Sequence, residues 1–592
     1  MRTVILILLG CATLLLGTAS CSNEFSADGE TIYDGPVVTN YMSVNIVSGT
    51  ESNAAGNSRA GTGSATGDGT YVIGNENTVN SVRFYFFKAN GEAAYVKNTV
   101  NGFQNYLDWQ RPDTSAPPSS SGDDVANVEK IVNAQLIINT KEGDGVPLLV
   151  VAIVNPPANM PGVSSINALN DITGDYAAVG ENSSFVMSNA VYVDGKGSLA
   201  EAVSVWGHLH TTPDEALLNP VTIYVERVNA KASVMCRLQP VEEGKNRFDT
   251  GVKVNDISDD GLTPGKIYVD FLGWDVTQAT NKSYLMKHIN EKWTDADVFG
   301  SESSLRWNIS GRYRSFWAIN PSLNAPKADD SNYVFRTFNQ HKDAATNFAG
   351  GEYLYLQENA AQDATSGCAY PSQLIIAAQL VDASGNPLTL CEYGFFQYTK
   401  EGLKKAMADK ANIYKKTPLA DSEGFRFDKI DDSDLELVSA TEAGQASLTE
   451  DGRYYVYAAI KGTGPDGKAF DSEEVTDYYI GKEEDAQPAT YKEVNDRLLA
   501  DCGCAKLWDE GYTYYYVDIR HLGEAQSNGW KGIVRNHIYE LNITGLTGLG
   551  TPVYRPDEVI YPEKPNTDET YIGAEVEILT WRLVNQDVSF AW

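Results

Sequence analysis

Hydrophobic and polar residues alternate at both ends of the chain. In "NYMSVNIVSG", Met42, Val44 and Ile46 fall on one side of an extended backbone, and Tyr41, Ser43 and Asn45 fall on the other. The closing residues "LVNQDVSFAW" repeat the pattern, with Val584, Gln586, Val588, Phe590 and Trp592 alternating with Asn585, Asp587, Ser589 and Ala591. A period of two is that of a strand with one apolar face. The pattern therefore predicts one such strand early in the chain and another running to its last residue. Each needs a surface to cover its apolar side.

Between these ends the strand signal recurs. "NSVRFYFFKANGEAAYV" predicts a hairpin turning at Asn90-Gly91. "KIVNAQLIINT" and "VPLLVVAIVNPP" predict further strands, the second buried on both faces and closed by Pro156-Pro157. A new β run opens near residue 222 with "NPVTIYVERVNAKASVMCRL", and strand-like stretches follow at 266–273, 333–337, 373–381, 453–461, 511–518, 536–543 and 574–592. Two amphipathic helices interrupt them. One is expected over 400–414, with Leu403, Met407 and Ile413 on one face. The other is expected after Thr490, which forms a capping box with Glu493, and before Gly503. Short strands, few helices and no regular strand–helix alternation predict an all-β class built of antiparallel sandwiches, two in number.

Composition supports a strand-and-turn protein, with 33 Tyr against 19 Phe and 51 Gly. Lys and Arg total 46 and Asp and Glu 79, a net charge of −33, which argues against binding nucleic acid or an anionic membrane by electrostatics.

"MRTVILILLGCATLLLGTASC" carries one Arg, an apolar run from Val4 to Leu16 and small residues before Cys21. It reads as a secretory signal over 1–20. The ending "GTASC" resembles a bacterial lipobox, which makes Cys21 the expected acylated residue. Five cysteines follow at Cys236, Cys368, Cys391, Cys502 and Cys504, an odd number at irregular spacing and no dense disulfide framework. Residues 48–70 contain no apolar side chain larger than Ala. Such a segment cannot pack a core and is expected to be an exposed linker. Its one basic residue, Arg59, stands before Ala60 where a trypsin-like protease would cut.

Catalytic motifs are weak. Gly462-Thr463-Gly464-Pro465-Asp466-Gly467 has the letters of a dinucleotide loop, but no helix opens after it to meet a phosphate, so a hairpin loop is expected. Residues 256–261 begin like a calcium loop whose twelfth position is Ile267 in place of a bidentate Glu. His208 and His210 share a strand face without a third ligand at a recognised spacing. Nothing singles out a pair among the 79 acidic residues for glycoside hydrolysis. The expectation is no enzyme, no metal and no cofactor.

"NSVRFYFF", "YVERVNAKASV", "AAQLVDASGNPL" and "NHIYELNITGLTGLGTP" at 536–552, in that order between a lipobox and a closing strand, resemble the Mfa-type fimbrillins, major subunits of surface fimbriae in Bacteroidales bacteria. The resemblance implies two transthyretin-like β-sandwich domains, here 60–222 and 223–573, and an outer-membrane lipoprotein precursor held by Cys21. It implies a propeptide, 21–59, removed by an Arg-specific surface protease between Arg59 and Ala60. That cut would displace the strand bearing Met42, Val44 and Ile46. The donor region 574–592 of another copy, through Val584, Val588, Phe590 and Trp592, would then fill the vacated groove. Expected partners are further copies of the chain, anchor and tip subunits, the protease, and host or bacterial surface receptors. The acidic residues in "SNEFSADGE" are sparser than a surface-export signal would have. A second expectation, from a different class, is a lipid-anchored adhesin or glycan-binding protein that stays monomeric and recognises ligands through loops such as 111–124 and 420–435.

Overall fold

The computed structural model describes residues 35–49, 76, 78–98, 102–111, 128–177, 184–193, 199–255, 265–288, 318–321, 332–360, 371–419, 424–445, 454–519, 532–553, 555–557, 559–562, 574–576 and 582–588. The first unit is built on β1 (Val37–Gly49), β2 (Ser81–Phe87), β3 (Tyr106–Gln110), β4 (Val128–Lys141), β5 (Leu149–Val154), β6 (Met187–Asn189), a short helix α1 (Pro213–Leu218) and β7 (Val221–Arg227). The strands join in the order β3-β2-β5-β6-β7-β1-β4, with Val203–Ser204 added against β5. Alternate residues from opposite ends of this row, Val82 and Phe84 on β2 and Val132, Ala134 and Leu136 on β4, meet in a single apolar cluster. The sheet therefore curls around its core. Its other face carries a second cluster, with Tyr85, Phe87, Val151 and Ile153.

The second unit contains β8 (Ala230–Cys236), β9 (Arg247–Val254), β10 (Gly265–Thr277), helix α2 (Phe338–Ala344), β11 (Leu354–Leu356), β12 (Gln373–Val381), β13 (Leu390–Tyr393) and β14 (Phe396–Tyr398). It continues with α3 (Lys400–Lys410), β15 (Leu435–Ser439), β16 (Tyr455–Ile460), α4 (Tyr491–Cys502), β17 (Cys504–Trp508), β18 (Tyr512–Asp518), β19 (His537–Ile543), β20 (Thr551–Pro552), β21 (Ala574–Val576) and β22 (Arg582–Val588). A ten-stranded sheet runs β15-β16-β17-β13-β14-β9-β10-β12-β18-β20, and a five-stranded one runs β11-β8-β19-β21-β22. Ala232, Val234 and Leu541 from the smaller sheet meet Phe271, Trp274, Ile376 and Trp508 from the larger in one core. This is a sandwich. Leu403 and Met407 of α3 and Val494 and Leu498 of α4 cover a further cluster at one end of the larger sheet.

Most of the expected strands appear, but the stretch 333–337 is a strand only at Tyr333–Val334, and 574–592 divides into β21 and β22, which pair antiparallel, with 589–592 outside the described residues. The capping box of Thr490 and Glu493 forms, with Thr490 Oγ1 accepting from the Glu493 amide, and α4 ends at Gly503 with φ +73°. Helix α3 is shorter than expected, because Ala411 turns to extended backbone. Ile413 still reaches the same core. At Asn90-Gly91 the chain turns, but only Phe87 and Ala93 bridge, and β2 takes β3 and β5 as its ladder partners. The sandwiches are not wholly antiparallel: β1 runs parallel to β7, and β19 runs parallel to both β8 and β22. Long stretches of chain separate each of these pairs, as parallel pairing requires.

The run that opens near residue 222 does not stay in one unit. Its first half is β7, which pairs with β1 and β6, and its second half is β8, which pairs with β11 and β19. Chain from beyond that point also returns: Ser283–Tyr284 pairs with Thr173–Gly174, and Leu285 and Met286 enter the outer cluster of the first unit.

Candidate functional site

Strand β1 owes its place to the alternation read at the start. Met42, Val44 and Ile46 are 1%, 0% and 1% exposed and lie in the enclosed core of the first unit. On one side β4 pairs with β1 in antiparallel register, from Val37 opposite Lys141 to Ser48 opposite Lys130. On the other side β7 pairs in parallel, from Val44 opposite Val221 to Ser48 opposite Val225. The slot that holds β1 is thus walled by Val132, Ala134, Leu136 and Ile138 on β4 and by Val221, Ile223 and Val225 on β7, all of them buried. Among the described residues, β1 is the only ladder partner of β4. The first half of β1, which β7 does not reach, is held by the loop after β6. Tyr41 N–H donates to His210 O at 2.8 Å, and His210 N–H donates to Tyr41 O at 3.0 Å.

The chemistry of the slot is that of a strand receptor. Its floor is apolar, and its two walls present main-chain donors and acceptors to whatever strand lies between them. Full burial of a Val, Ile or Met side chain contributes about 1.5–3 kcal/mol, and each ladder bond adds about 1 kcal/mol net.

A polar joint lies where the two units meet. Glu76, the first described residue after the linker, is 2% exposed. Lys231 Nζ donates to both its carboxylate oxygens, at 2.9 and 2.8 Å, and Tyr355 Oη donates to Oε1 at 2.7 Å. Burial first, and then the bond to Glu76, push the Tyr355 hydroxyl above its ordinary pKa. Arg227, at the end of β7, donates to the Glu76 carbonyl at 3.3 Å and to Asn536 Oδ1 at 3.0 Å. Arg535 is fully buried. It donates to Glu358 at 2.5 and 3.0 Å, to the carbonyls of Tyr284 and Leu285 at 2.7 and 3.0 Å, and to Ser188 Oγ at 3.4 Å. The sequence reading missed this joint. Lys231 inside the apolar run "AKASVM" was the available signal, because a Lys in such a run is buried only with a partner.

The other expected positions divide. Val584 and Val588 lie in β22, where the backbone pairs Val584 with Tyr539 and Val588 with Ile543. Strand β22 also pairs with β21. Cys21, Arg59, Ala60, Phe590 and Trp592 lie outside the described residues, as do the calcium-like segment 256–261 and Cys368. His208 and His210 are half-buried around Asn219: His208 Nδ1 lies 3.0 Å from Asn219 O, and His210 Nε2 lies 3.4 Å from Asn219 Nδ2. No group of three or more His, Cys, Asp or Glu able to hold a metal occurs among the described residues. Gly462–Gly467 forms the turn after β16, closed by Lys468 N–H donating to Gly462 O at 2.7 Å, with no helix opening there. Cys236, Cys502 and Cys504 are free thiols. Of the loops named for recognition, residues 112–127 are outside the described residues, whereas Phe425–Lys429 is a strand paired with Tyr414–Pro418.

Comparison with known proteins adds what the geometry alone does not carry. No curated protein matches the chain. Among solved structures, a fimbrilin of Porphyromonas gingivalis is 14% identical with a TM-score of 0.34, covering 93% of this chain and 97% of its own. The tip fimbrial protein Mfa3 of Porphyromonas gingivalis, with a C-terminal truncation, is 13% identical with a TM-score of 0.26, covering 67% and 100%. A fimbrial assembly protein of Parabacteroides distasonis is 12% identical with a TM-score of 0.26, covering 58% and 83%. Residues 506–587, from within β17 to within β22, match the family described as major fimbrial subunit protein type IV, Fimbrillin, C-terminal. That match places the C-terminal segment, residues 506–587, with the fimbrillin C-terminal family.

Proposed function

We propose that the chain is a structural subunit of a surface fimbria that polymerises head to tail by exchanging strands. It is made as an exported precursor, with signal 1–20 and propeptide 21–59, acylated at Cys21 and carried to the outer membrane. An Arg-specific protease at the cell surface cuts between Arg59 and Ala60. Strand β1 then leaves its slot, and the C-terminal strand of another copy enters through Val584, Val588, Phe590 and Trp592. A contact of this kind joins unlike surfaces and does not close, so it extends into a filament. Anchor and tip subunits end the filament, and receptors on host or bacterial surfaces are met along it or at its tip. The role requires neither catalysis nor a cofactor.

One observation carries this reading. A strand with three wholly buried apolar side chains sits between two walls and is followed by a polar segment containing Arg59, so a single cut separates it from the body. Four donor side chains of the size of Val, Phe and Trp replace it, with a gross contribution of about 6–12 kcal/mol. Ordering a free tail opposes this at about 1–2 kcal/mol per residue. The main-chain ladder on both walls decides the balance.

The test mixes cleaved protein with and without residues 584–592. Filaments form only from the complete chain, and equal assembly by the truncated protein rejects the mechanism. A second reading, a lipid-anchored surface adhesin that stays monomeric, is favoured by the pairing of β22 with β19 of the same chain. Mature surface protein that begins at Ala60 supports the fimbrial subunit, and retention of residues 21–59 supports the adhesin.

A further inference from the structure

Exposed large apolar side chains are not spread evenly over the first unit. Trp206 is 79% exposed, Leu218 86%, Ile137 55% and Leu217 48%. Val37 and Val38, at the start of β1, are also exposed. All six surround the same end of the slot. Val37 and Val38 begin the strand, and Ile137 stands opposite Tyr41 on β4. Tyr41 in turn pairs with His210. The segment 205–219 around His210 brings the other three. Its first turn closes with His208 N–H donating to Val205 O at 3.0 Å and needs Gly207 at φ +80°, which leaves Trp206 standing outward. Asn219 Nδ2 donates to Gly207 O at 2.9 Å, and Asn219 O lies 3.0 Å from His208 Nδ1. These bonds tie the Trp206 turn to the end of α1, one residue from Leu218. An isolated exposed Leu needs no explanation, but a cluster at the mouth of a strand receptor marks a contact surface.

We propose that this rim, with Trp206 and Leu218 at its centre, is the docking surface for the body of the neighbouring copy, and that the donor strand therefore runs in the same direction as β1. The inference rests on strand exchange and deepens it. A donated strand is rooted in its own subunit, so that subunit must lie against one end of the slot. The apolar rim is at the end where β1 begins, next to Val37 and Tyr41. At the other end Ser48 lies between Lys130 and Val225. A donor rooted at the rim enters where Val37 lay and proceeds toward the place Ser48 held, parallel to β7 and antiparallel to β4, and inherits the ladder that β1 leaves. The reverse direction would place the body at the Lys130 end and leave the rim bare.

The test uses cleaved protein and a synthetic peptide of residues 582–592 with a photoreactive group at its amino end. The expected result is peptide binding, with labelling of residues 206–219. Labelling near Lys130 or Val225 overturns the direction. The exposed-site variant Trp206→Asp with Leu218→Asp is expected to slow filament growth about tenfold or more, as loss of a central apolar anchor does. It is expected to bind the free peptide as the parent does, since the peptide brings no body to the rim. Equal filament growth by the variant overturns the docking surface. Failure of the peptide to bind the parent at all is a different outcome and sinks strand exchange itself.

Discussion

Ile46→Ala in the precursor isolates what the apolar face of β1 contributes. Ile46 is 1% exposed and packs in the enclosed core of the first unit. Truncating a buried Ile to Ala costs about 2–5 kcal/mol, transfer and cavity together. At 1.4 kcal/mol per factor of ten, that weakens retention of the severed strand by about 30-fold to several thousand-fold. The assay cuts purified precursor after Arg59 and follows loss of the 21–59 fragment by size exclusion, with excess 582–592 peptide present to block rebinding. The parent releases its fragment slowly, and Ile46→Ala releases it faster by that factor. Asn45→Ala is the control, because Asn45 points to the other face and is only half-buried. If Asn45→Ala accelerates release as much as Ile46→Ala, or if neither does, then the apolar face is not what holds β1, and the slot argument fails.

Three further outcomes follow from the same structure. After the fragment is removed, the amides of β4 at Val132, Ala134, Leu136 and Ile138 should exchange with deuterium far faster than in the precursor, and a donor peptide should restore their protection; unchanged exchange in the emptied protein would count against β1 as their ladder partner. Glu76→Gln or Lys231→Met leaves a buried charge unpaired at the joint and should cost about 3–5 kcal/mol in urea unfolding, whereas the paired change of both residues should cost less than either single change. Burial pushes the Cys236 and Cys502 thiols up to about 11, so the folded protein keeps them neutral over a pH range in which the unfolded chain, ionising from about pH 8.5, loses those protons. Their contribution to stability is present below that value and is lost as pH rises through it toward 11. Alkylation of the native protein at pH 8 should be slow at both, and rapid native labelling of Cys502 would contradict its burial.

Much of this was legible where one residue's neighbours in sequence decide its environment. The alternation of Met42, Val44 and Ile46 located an inward face, and Thr490 with Glu493 located a helix start. Thr337 and Gln340 make the same capping box before α2, so that helix was readable too, although its seven residues gave little periodicity to notice. What sequence could not give is the handover between units at Val228-Asn229. The residues on both sides are strand-formers, and the break is set by partners far away: Arg227 reaches Asn536, and Lys231 reaches Glu76. The parallel pairing of β1 with β7 is equally remote, since residues as far apart as Val44 and Val221 share a ladder only because the intervening chain folds back. Glu76 sits in the polar stretch "GNENT", where nothing distinguishes it from a solvated acid.

That β1 is, among the described residues, the only strand laddered to β4 bears on how a fimbria would resist force. Were the slot filled from a neighbour, each donated strand would complete the acceptor's own sheet, so no subunit could be drawn off the shaft without stripping β4 of the strand beside it. Pulling would then load hydrogen bonds along the length of two ladders in shear, and the work of rupture would include part of the work of unfolding. A shaft made this way is as durable as its subunits, and tension sufficient to break it leaves an open sheet on the acceptor side of the fracture.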